Sequence, residues 1–274
     1  MEVPHVSIVI VAHSVRHELE RCLGSIREHA QLSVEVLLVD NASTDDTREW
    51  VRREHPDVEL VELERNIGVA ARDYGLRRAV APYTMFLDSD AALTSGALRT
   101  LVGALEEHPD WGLVGPQLVY DDGELQLSTR RYPPLLLPLL RRPPFERIFE
   151  NRRVVRDHLM ADDDHDRVRF VLYLLGACQL FRTSLARIAG PFDDKVFLGW
   201  DDADWCFRIR DAGGEIVYFP HATVIHSYRR LTRKQPVSRA ALKQLEAHLR
   251  FQWKYVRRRR ELIRSSHDLD RATL

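Results

Sequence analysis

Two aspartates, Asp88 and Asp90, flank a single serine where the apolar run Met85-Phe86-Leu87 ends. Carboxylates at the end of a buried strand need a reason, because desolvating a charge is costly unless it is paired. Two acidic side chains one residue apart can hold a hard divalent cation, and ligands collect at the carboxyl ends of strands in an open α/β sheet. The same residues also fit a plainer use, a strand followed by a helix cap, with Asp90 leading through Ala91-Ala92-Leu93-Thr94 into a helix. A second acidic group, Asp201, Asp202 and Asp204, stands between Trp200 and Trp205, where it equally suits the first turn of a helix. Asp40 closes another apolar run, and His226 follows a third.

The elements that must position these residues alternate. Val6 to Ala12 and Val34 to Val39 read as buried strands, with Leu19, Cys22, Leu23 and Ile26 at helical spacing between them. Ser43 or Thr44 can cap a helix after Asp40-Asn41, Val58 to Leu63 reads as a strand nearer an edge, and a helix follows Asn66-Ile67-Gly68 through Arg78. Tyr83 to Leu87 is a fourth strand, Thr94 to Glu107 a helix and Leu113 to Val119 a further strand. Strands joined by helices of this length imply a mostly parallel, Rossmann-like sheet with right-handed crossovers and helices on both faces. The expected division is 1–119 as a nucleotide-binding half, 120–169 as an irregular, mobile excursion and 170–228 as an acceptor and catalytic half. Pro133, Pro134, Pro138, Pro143 and Pro144, with the acidic run Asp162 to Asp164, mark the excursion.

With 274 residues, 45% hydrophobic and 30% charged, the chain can bury a sizeable core. A formal net charge of -1 gives no general attraction for nucleic acid, and three widely separated cysteines imply reduced thiols, not a disulfide framework or a metal knot. The first strand has no basic leader and is too short to span a bilayer, so the expected location is cytoplasmic, peripheral to the inner face of the plasma membrane. Residues 229–274 form a basic helical extension. It carries Arg229, Arg230, Arg233, Lys234 and the run Arg257 to Arg260, beside a stripe of Leu242, Leu245, Leu249, Trp253 and Val256. Either the stripe docks the helix on the domain, or the cationic side faces anionic lipid headgroups or a lipid-diphosphate acceptor.

Taken in order, Val6-Ser7-Ile8-Val9-Ile10-Val11, Val39-Asp40-Asn41-Ala42-Ser43-Thr44-Asp45, Asn66-Ile67-Gly68, Phe86-Leu87-Asp88-Ser89-Asp90, Gly176-Ala177, Gly190-Pro191-Phe192-Asp193, the stretch Asp201 to Arg208 and Val224-Ile225-His226 resemble the family 2 glycosyltransferases with the GT-A fold. The resemblance runs from Val6 to about Tyr228. It implies that Asp40 accepts a hydrogen bond from the imide of a uracil or thymine, and that the backbone of Val11, Ala12 and His13 passes base and ribose. It further implies that Asn41, Asn66 and Gly68 shape the nucleotide loop, and that Asp88 and Ser89 lie near the ribose. Asp88, Asp90 and His226 would be the ligands of Mn2+ or Mg2+. Asp202 would be the catalytic base of an inverting transfer, its acidic pair reading Asp-Asp where the family usually has Glu-Asp, and Trp200, Asp201, Asp204 and Trp205 would stand near the sugar or the acceptor. Asp201 and Asp204 would raise the pKa of that base. Ala12-His13-Ser14 departs from the family's common Thr-Tyr-Asn, and Asp73 stands where asparagine is frequent. Within the family the chain looks most like bacterial rhamnosyltransferases of the cell envelope, which implies a UDP- or dTDP-sugar donor and a glycan or polyprenyl-linked acceptor. A nucleotidyltransferase that makes the nucleotide-sugar would want a glycine-rich loop after the first strand, and Ala12-His13-Ser14-Val15-Arg16-His17-Glu18 has no glycine. A relative that binds nucleotide-sugar or lipid without catalysis has no need of Asp88, Asp90 and Asp202 together.

Overall fold

The computed structural model describes residues 3–140, 146–149, 152–227 and 239–269. Pro143 and Pro144, the basic residues between 229 and 234, and the expected boundary at 228 lie outside the described residues. The chain runs β1 (Val6–Ala12), α1 (Arg16–His29), β2 (Val34–Asp40), α2 (Thr47–Glu54) and β3 (Glu59–Glu62). A 3-10 turn (Gly68–Ala71) then enters α3 (Arg72–Leu76), followed by β4 (Tyr83–Leu87), β5 (Ala91–Leu93), α4 (Ala97–Glu107) and β6 (Trp111–Val119). Residues 120–169 carry β7 (Leu125–Gln126), β8 (Thr129–Arg130), α5 (Leu137–Leu140), α6 (Glu146–Phe149), α7 (Arg153–His158) and the start of β9 (Arg169–Phe170). After them come β10 (Tyr173–Leu174), β11 (Cys178–Arg182), α8 (Thr183–Ala189), α9 (Asp201–Asp211), β12 (Glu215–His226), α10 (Arg239–Lys254) and α11 (Arg259–Asp268).

The main sheet runs β3-β2-β1-β4-β11-β6-β12-β5, with β7 on β6 and β9 on β12. Its first four strands are parallel; β11 enters antiparallel to both β4 and β6, so the sheet as a whole is mixed. β1, covered on both faces, is almost wholly buried, which is why its sequence is a continuous apolar run and not an alternation. One core layer packs Leu19, Cys22, Leu23 and Ile26 of α1 and Leu98, Leu101 and Leu105 of α4 on the sheet. The other face is aromatic: Trp205 of α9 stacks on Phe192 with ring centroids 4.9 Å apart and meets Phe181 edge-on at 5.2 Å.

Register carries the acidic strand ends to one edge. Ala12 of β1 pairs with Asp40 of β2, and β1 pairs in turn with β4, whose chain leads straight into Asp88. The plainer use of Asp90 as a helix cap does not hold, because Ala91–Leu93 forms β5 and α4 begins only at Ala97. Pairing of β5 with β12 sets His226 opposite Ala91, and the Ser227 amide donates to the Asp90 carbonyl at 3.0 Å. The helix expected through Arg78 is a 3-10 turn and a short α3 ending at Leu76. Ser43 and Thr44 do not cap α2, whose N-cap is Asp46.

The C-terminal helix departs from the expected docking. α10 grips the domain through Ala247, His248, Phe251 and Gln252, all buried, while Leu242, Leu249, Trp253 and Val256 of the expected stripe face solvent. Phe251 packs on Phe207, Trp200 and Tyr132, and Gln252 donates to the Pro133 carbonyl at 2.8 Å. No helix among the described residues is long and apolar enough to cross a membrane.

Candidate active site

A cavity of about 540 Å³ opens at the carboxyl edge of the parallel strands. Its walls include Val11, Asn41, Asn66 and Gly68 on one side, Asp88, Asp90 and His226 at the strand ends, and Trp200, Asp201 and Asp202 across from them. Asp88, Asp90 and His226 each offer a ligand atom within 4.8 Å of the others. His226 Nε2 lies 3.3 Å from Asp90 Oδ1, while its Nδ1 is 2.6 Å from Gln126 Oε1. A carbonyl oxygen can only accept, so Gln126 holds the proton on Nδ1 and turns Nε2 towards the carboxylates. Two carboxylates and an imidazole suit Mn2+ or Mg2+, and the nitrogen favours manganese. Burial opposes an imidazolium at His226, yet the hydrogen bond to Asp90 and the nearby Asp88 charge lift its pKa above the usual value.

Arg72, at the start of α3, is a residue that the sequence reading missed. Its guanidinium is buried and donates to Asp88 Oδ1 at 2.9 Å, to Asp201 Oδ2 at 3.1 Å and to the Gly176 carbonyl at 3.1 Å. Burial works against its charge, but Asp88 and Asp201 hold its pKa above the ordinary value. Gly176 packs closely under this clamp: a Cβ there would stand 3.1 Å from an Arg72 nitrogen and press on the guanidinium. The neighbouring Asp73 accepts the Phe192 amide, and burial raises its pKa. The surroundings of Asp88 also raise its pKa, through burial that outweighs the pull of Arg72.

Asp202, in the first turn of α9, has its pKa pushed up to about 7, by burial first and by the charge of Asp201 second. Asp204, expected to contribute, faces the other way: it accepts from Arg208 at 2.9 Å, from Tyr255 at 2.8 Å and from Lys254, so it anchors α9 to the C-terminal helix. Trp205 is fully buried in the aromatic core and does not line the cavity, whereas Trp200 does. The reason is helical periodicity: Trp205 falls on the face of α9 turned to the sheet. Trp200 itself sits in the left-handed region with φ 65°, a conformation costly for a bulky residue and frequent at functional sites.

The end of the cavity lined by Asn41, Asn66 and Gly68 is a network of amides. Asn41 donates to Asn66 Oδ1 and to the Gly68 carbonyl, both at 3.1 Å, and accepts from the Ile67 amide at 2.9 Å. Gly68, with φ 67°, has no room for a Cβ, which would fall 2.0 Å from the Phe197 carbonyl oxygen. Ala12, His13, Asp40 and Ser89 do not line the cavity. His13 is bonded to the Asn41 carbonyl, and Asp40 lies beneath the rim with Oδ1 accepting from Arg48 and from the Ser43 amide. The other Asp40 oxygen is buried without a hydrogen-bond partner among the described residues. The segment read as an excursion contributes Arg130 and His158 to the wall, and α10 contributes Gln244. Only Arg72 left a trace in the sequence, as a charge among Ala70, Ala71 and Gly75.

Comparison with known proteins agrees with this geometry. Residues 7–165 match the model of glycosyl transferase family 2. Over 257 residues the chain is 27% identical to the N-acetylglucosaminyl-diphospho-decaprenol L-rhamnosyltransferase of Mycobacterium tuberculosis, covering 85% of this chain and 80% of that protein. It is 28% identical to a pre-mycofactocin glycosyltransferase of the same organism over 82% of this chain and 43% of the relative. Among solved structures, the mannosyltransferase PcManGT of Pyrobaculum calidifontis, in complex with GDP-Man and Mn2+, superposes with a TM-score of 0.60 at 23% identity, over 94% of this chain and 65% of that one. GalNAc-T7 with UDP, GalNAc and Mn2+ superposes at 0.63 and 17% identity, over 92% of this chain and 48% of that one. The shared fold is GT-A, and the chain spans less than two thirds of either structure.

Proposed function

The chain belongs to glycosyl transferase family 2 and is a sugar-nucleotide-dependent glycosyltransferase; from that premise we propose that it transfers a sugar, rhamnose in the first instance, from a UDP- or dTDP-sugar to a hydroxyl of a polyprenyl-diphosphate-linked saccharide of the cell envelope, with inversion and with the help of a divalent metal. One observation carries this reading: Asp88, Asp90 and His226 line the same cavity as Asp202, whose raised pKa suits a general base near neutral pH. The M. tuberculosis rhamnosyltransferase, similar over most of both chains, supports the sugar and the lipid-linked acceptor.

In this mechanism the acceptor hydroxyl attacks the anomeric carbon as its bond to the diphosphate oxygen breaks. Asp202 takes the hydroxyl proton, and the bonding electrons leave with the nucleoside diphosphate. A manganese or magnesium ion held by Asp90, Asp88 and His226 would supply positive charge beside that diphosphate. Arg72 fixes Asp88 and Asp201 on either side of the cavity, and its charge offsets theirs. Gln126 keeps His226 in the tautomer a metal requires. The Asn41, Asn66 and Gly68 network frames the nucleotide, while Asp40, fully buried and off the cavity wall, holds the Ser43 amide and Arg48. The exposed stripe of α10, with Lys243, Arg250 and Arg257 beside it, provides peripheral contact with an anionic membrane.

The test is incubation with Mn2+ and a panel of UDP-, dTDP- and GDP-sugars, following diphosphate release with and without envelope lipid extract. Release is expected from a UDP- or dTDP-sugar when metal and lipid are both present. Absence of turnover or donor binding in every combination overturns the reading.

A further inference from the structure

A second, smaller cavity of about 160 Å³ lies between α10 and the chain leading into α9. Val69, Phe192, Val196, Ala247, Phe251 and Trp253 make its walls largely apolar. Of the three acids at its edge, Asp201 is paired with Arg72, Asp204 with Arg208, Lys254 and Tyr255, and Asp193 accepts the Lys195 amide at 2.9 Å. Its apolar walls suit the hydrocarbon part of an amphipathic ligand, with the charged residues at the edge.

Its position gives it a use. Val69, Trp200 and Asp201 line both cavities, so a partition one side chain thick separates this cleft from the cavity that holds Asp202. Trp200 forms that partition in a strained backbone conformation, with its ring 4.5 Å from His248 and 5.7 Å from Phe251. Its indole N–H is buried with no hydrogen-bond partner among the described residues, an unsatisfied donor on the side chain that both cavities share. The outer end of the cleft is bounded by Trp253, which is 81% exposed and shares a helix face with Leu242 and Leu249. Arg250 and Lys254 line the same cleft, placing cations beside an apolar surface.

Resting on the lipid-linked acceptor reading above, we propose that this cleft is the subsite for the isoprenoid chain of the acceptor, leading from the membrane-facing side of α10 past Trp200 to the cavity of Asp202. The chain segment next to the diphosphate lies between Val196 and Ala247, and the Trp200 N–H meets an oxygen of the acceptor head. Apolar burial in the cleft then contributes to acceptor binding and leaves donor binding untouched.

Two acceptors with the same saccharide and diphosphate test this in detergent solution, one with a long isoprenoid chain and one with a chain too short to enter the cleft. Val196→Trp fills the cleft from the loop side and Ala247→Leu from the helix side, so a folding failure of one leaves the other. Each is expected to raise KM for the long-chain acceptor about tenfold, the cost of a few buried methylenes. KM for the short-chain acceptor and for the donor should stay at the wild-type values. Equal KM for both acceptors in the wild type, or equal effects of the substitutions on both, overturns the subsite and leaves the transferase reading standing. If the wild-type enzyme glycosylates neither acceptor while turning over donor with a soluble one, the lipid-linked reading itself falls.

Discussion

The acidic edge of the sheet and the exposed apolar face of α10 are held in place by different forces. At the sheet edge, backbone hydrogen bonds fix position: β1 against β2 and β4, and β5 against β12, bring Asp40, Asp88, Asp90 and His226 to one border with little freedom. α10 has no such ladder to the domain. Among the described residues side chains attach it, with Phe251 and His248 inserted, Lys254 and the following Tyr255 on Asp204, and Lys243 3.3 Å from the Phe197 ring centre. A residue at a strand end therefore has its place set by register, whereas a helix with apolar residues on two faces can be docked by either.

The largest test of that difference lies at the sheet edge. Asp90→Asn should lower kcat/KM by about 10³-fold and abolish manganese-dependent nucleotide binding, measured by titration calorimetry, with thermal stability kept. Unchanged nucleotide binding would mean the strand ends are structural. On the helix, the two faces separate cleanly. Phe251→Ala should cost about 3–5 kcal/mol in denaturant unfolding, as deletion of a buried ring does, and Leu249→Ala no more than about 0.5 kcal/mol. Equal costs would show that the apolar stripe is a docking face after all. The pH dependence comes next. With Asp202 pushed up to about 7 and active as a base only when ionised, kcat should fall about tenfold per unit below that pH and level off above it. A profile flat from pH 5 to 8 would exclude this carboxylate. Smallest is Trp253→Ser, expected to weaken flotation with anionic liposomes at low salt by about threefold without changing the melting temperature. Undiminished flotation would separate membrane contact from this face.

The same contrast accounts for what could be read from the chain. Tyr83–Leu87 and the acidic pair after it were legible because a buried strand ending in carboxylates breaks its own pattern. The helix expected from Thr94 is α4, but β5 before it was not legible, since Ala91-Ala92-Leu93 fits either state and only pairing with β12 decides it. Leu242, Leu249, Trp253 and Val256 read as a stripe, but nothing in periodicity says that His248, Phe251 and Tyr255 on the opposite side would be the buried set. Arg72 showed only as a charge among small residues, and Arg130 not at all, because a buried arginine looks like a surface one until its partners, distant in sequence, are assembled around it. Trp205 and Asp204 were drawn towards the site by their nearness to Asp202 in sequence, where the turn of α9 carries them away.

The central claim is that Asp202 is the base and that the strand-end cluster on the opposite wall serves the donor. Asp202→Asn, assayed for transfer alongside manganese-dependent donor binding, tests it directly: transfer should fall by at least about 10³-fold while donor affinity stays within about twofold of wild type. Loss of donor binding in that variant, or transfer that survives it, would contradict the account.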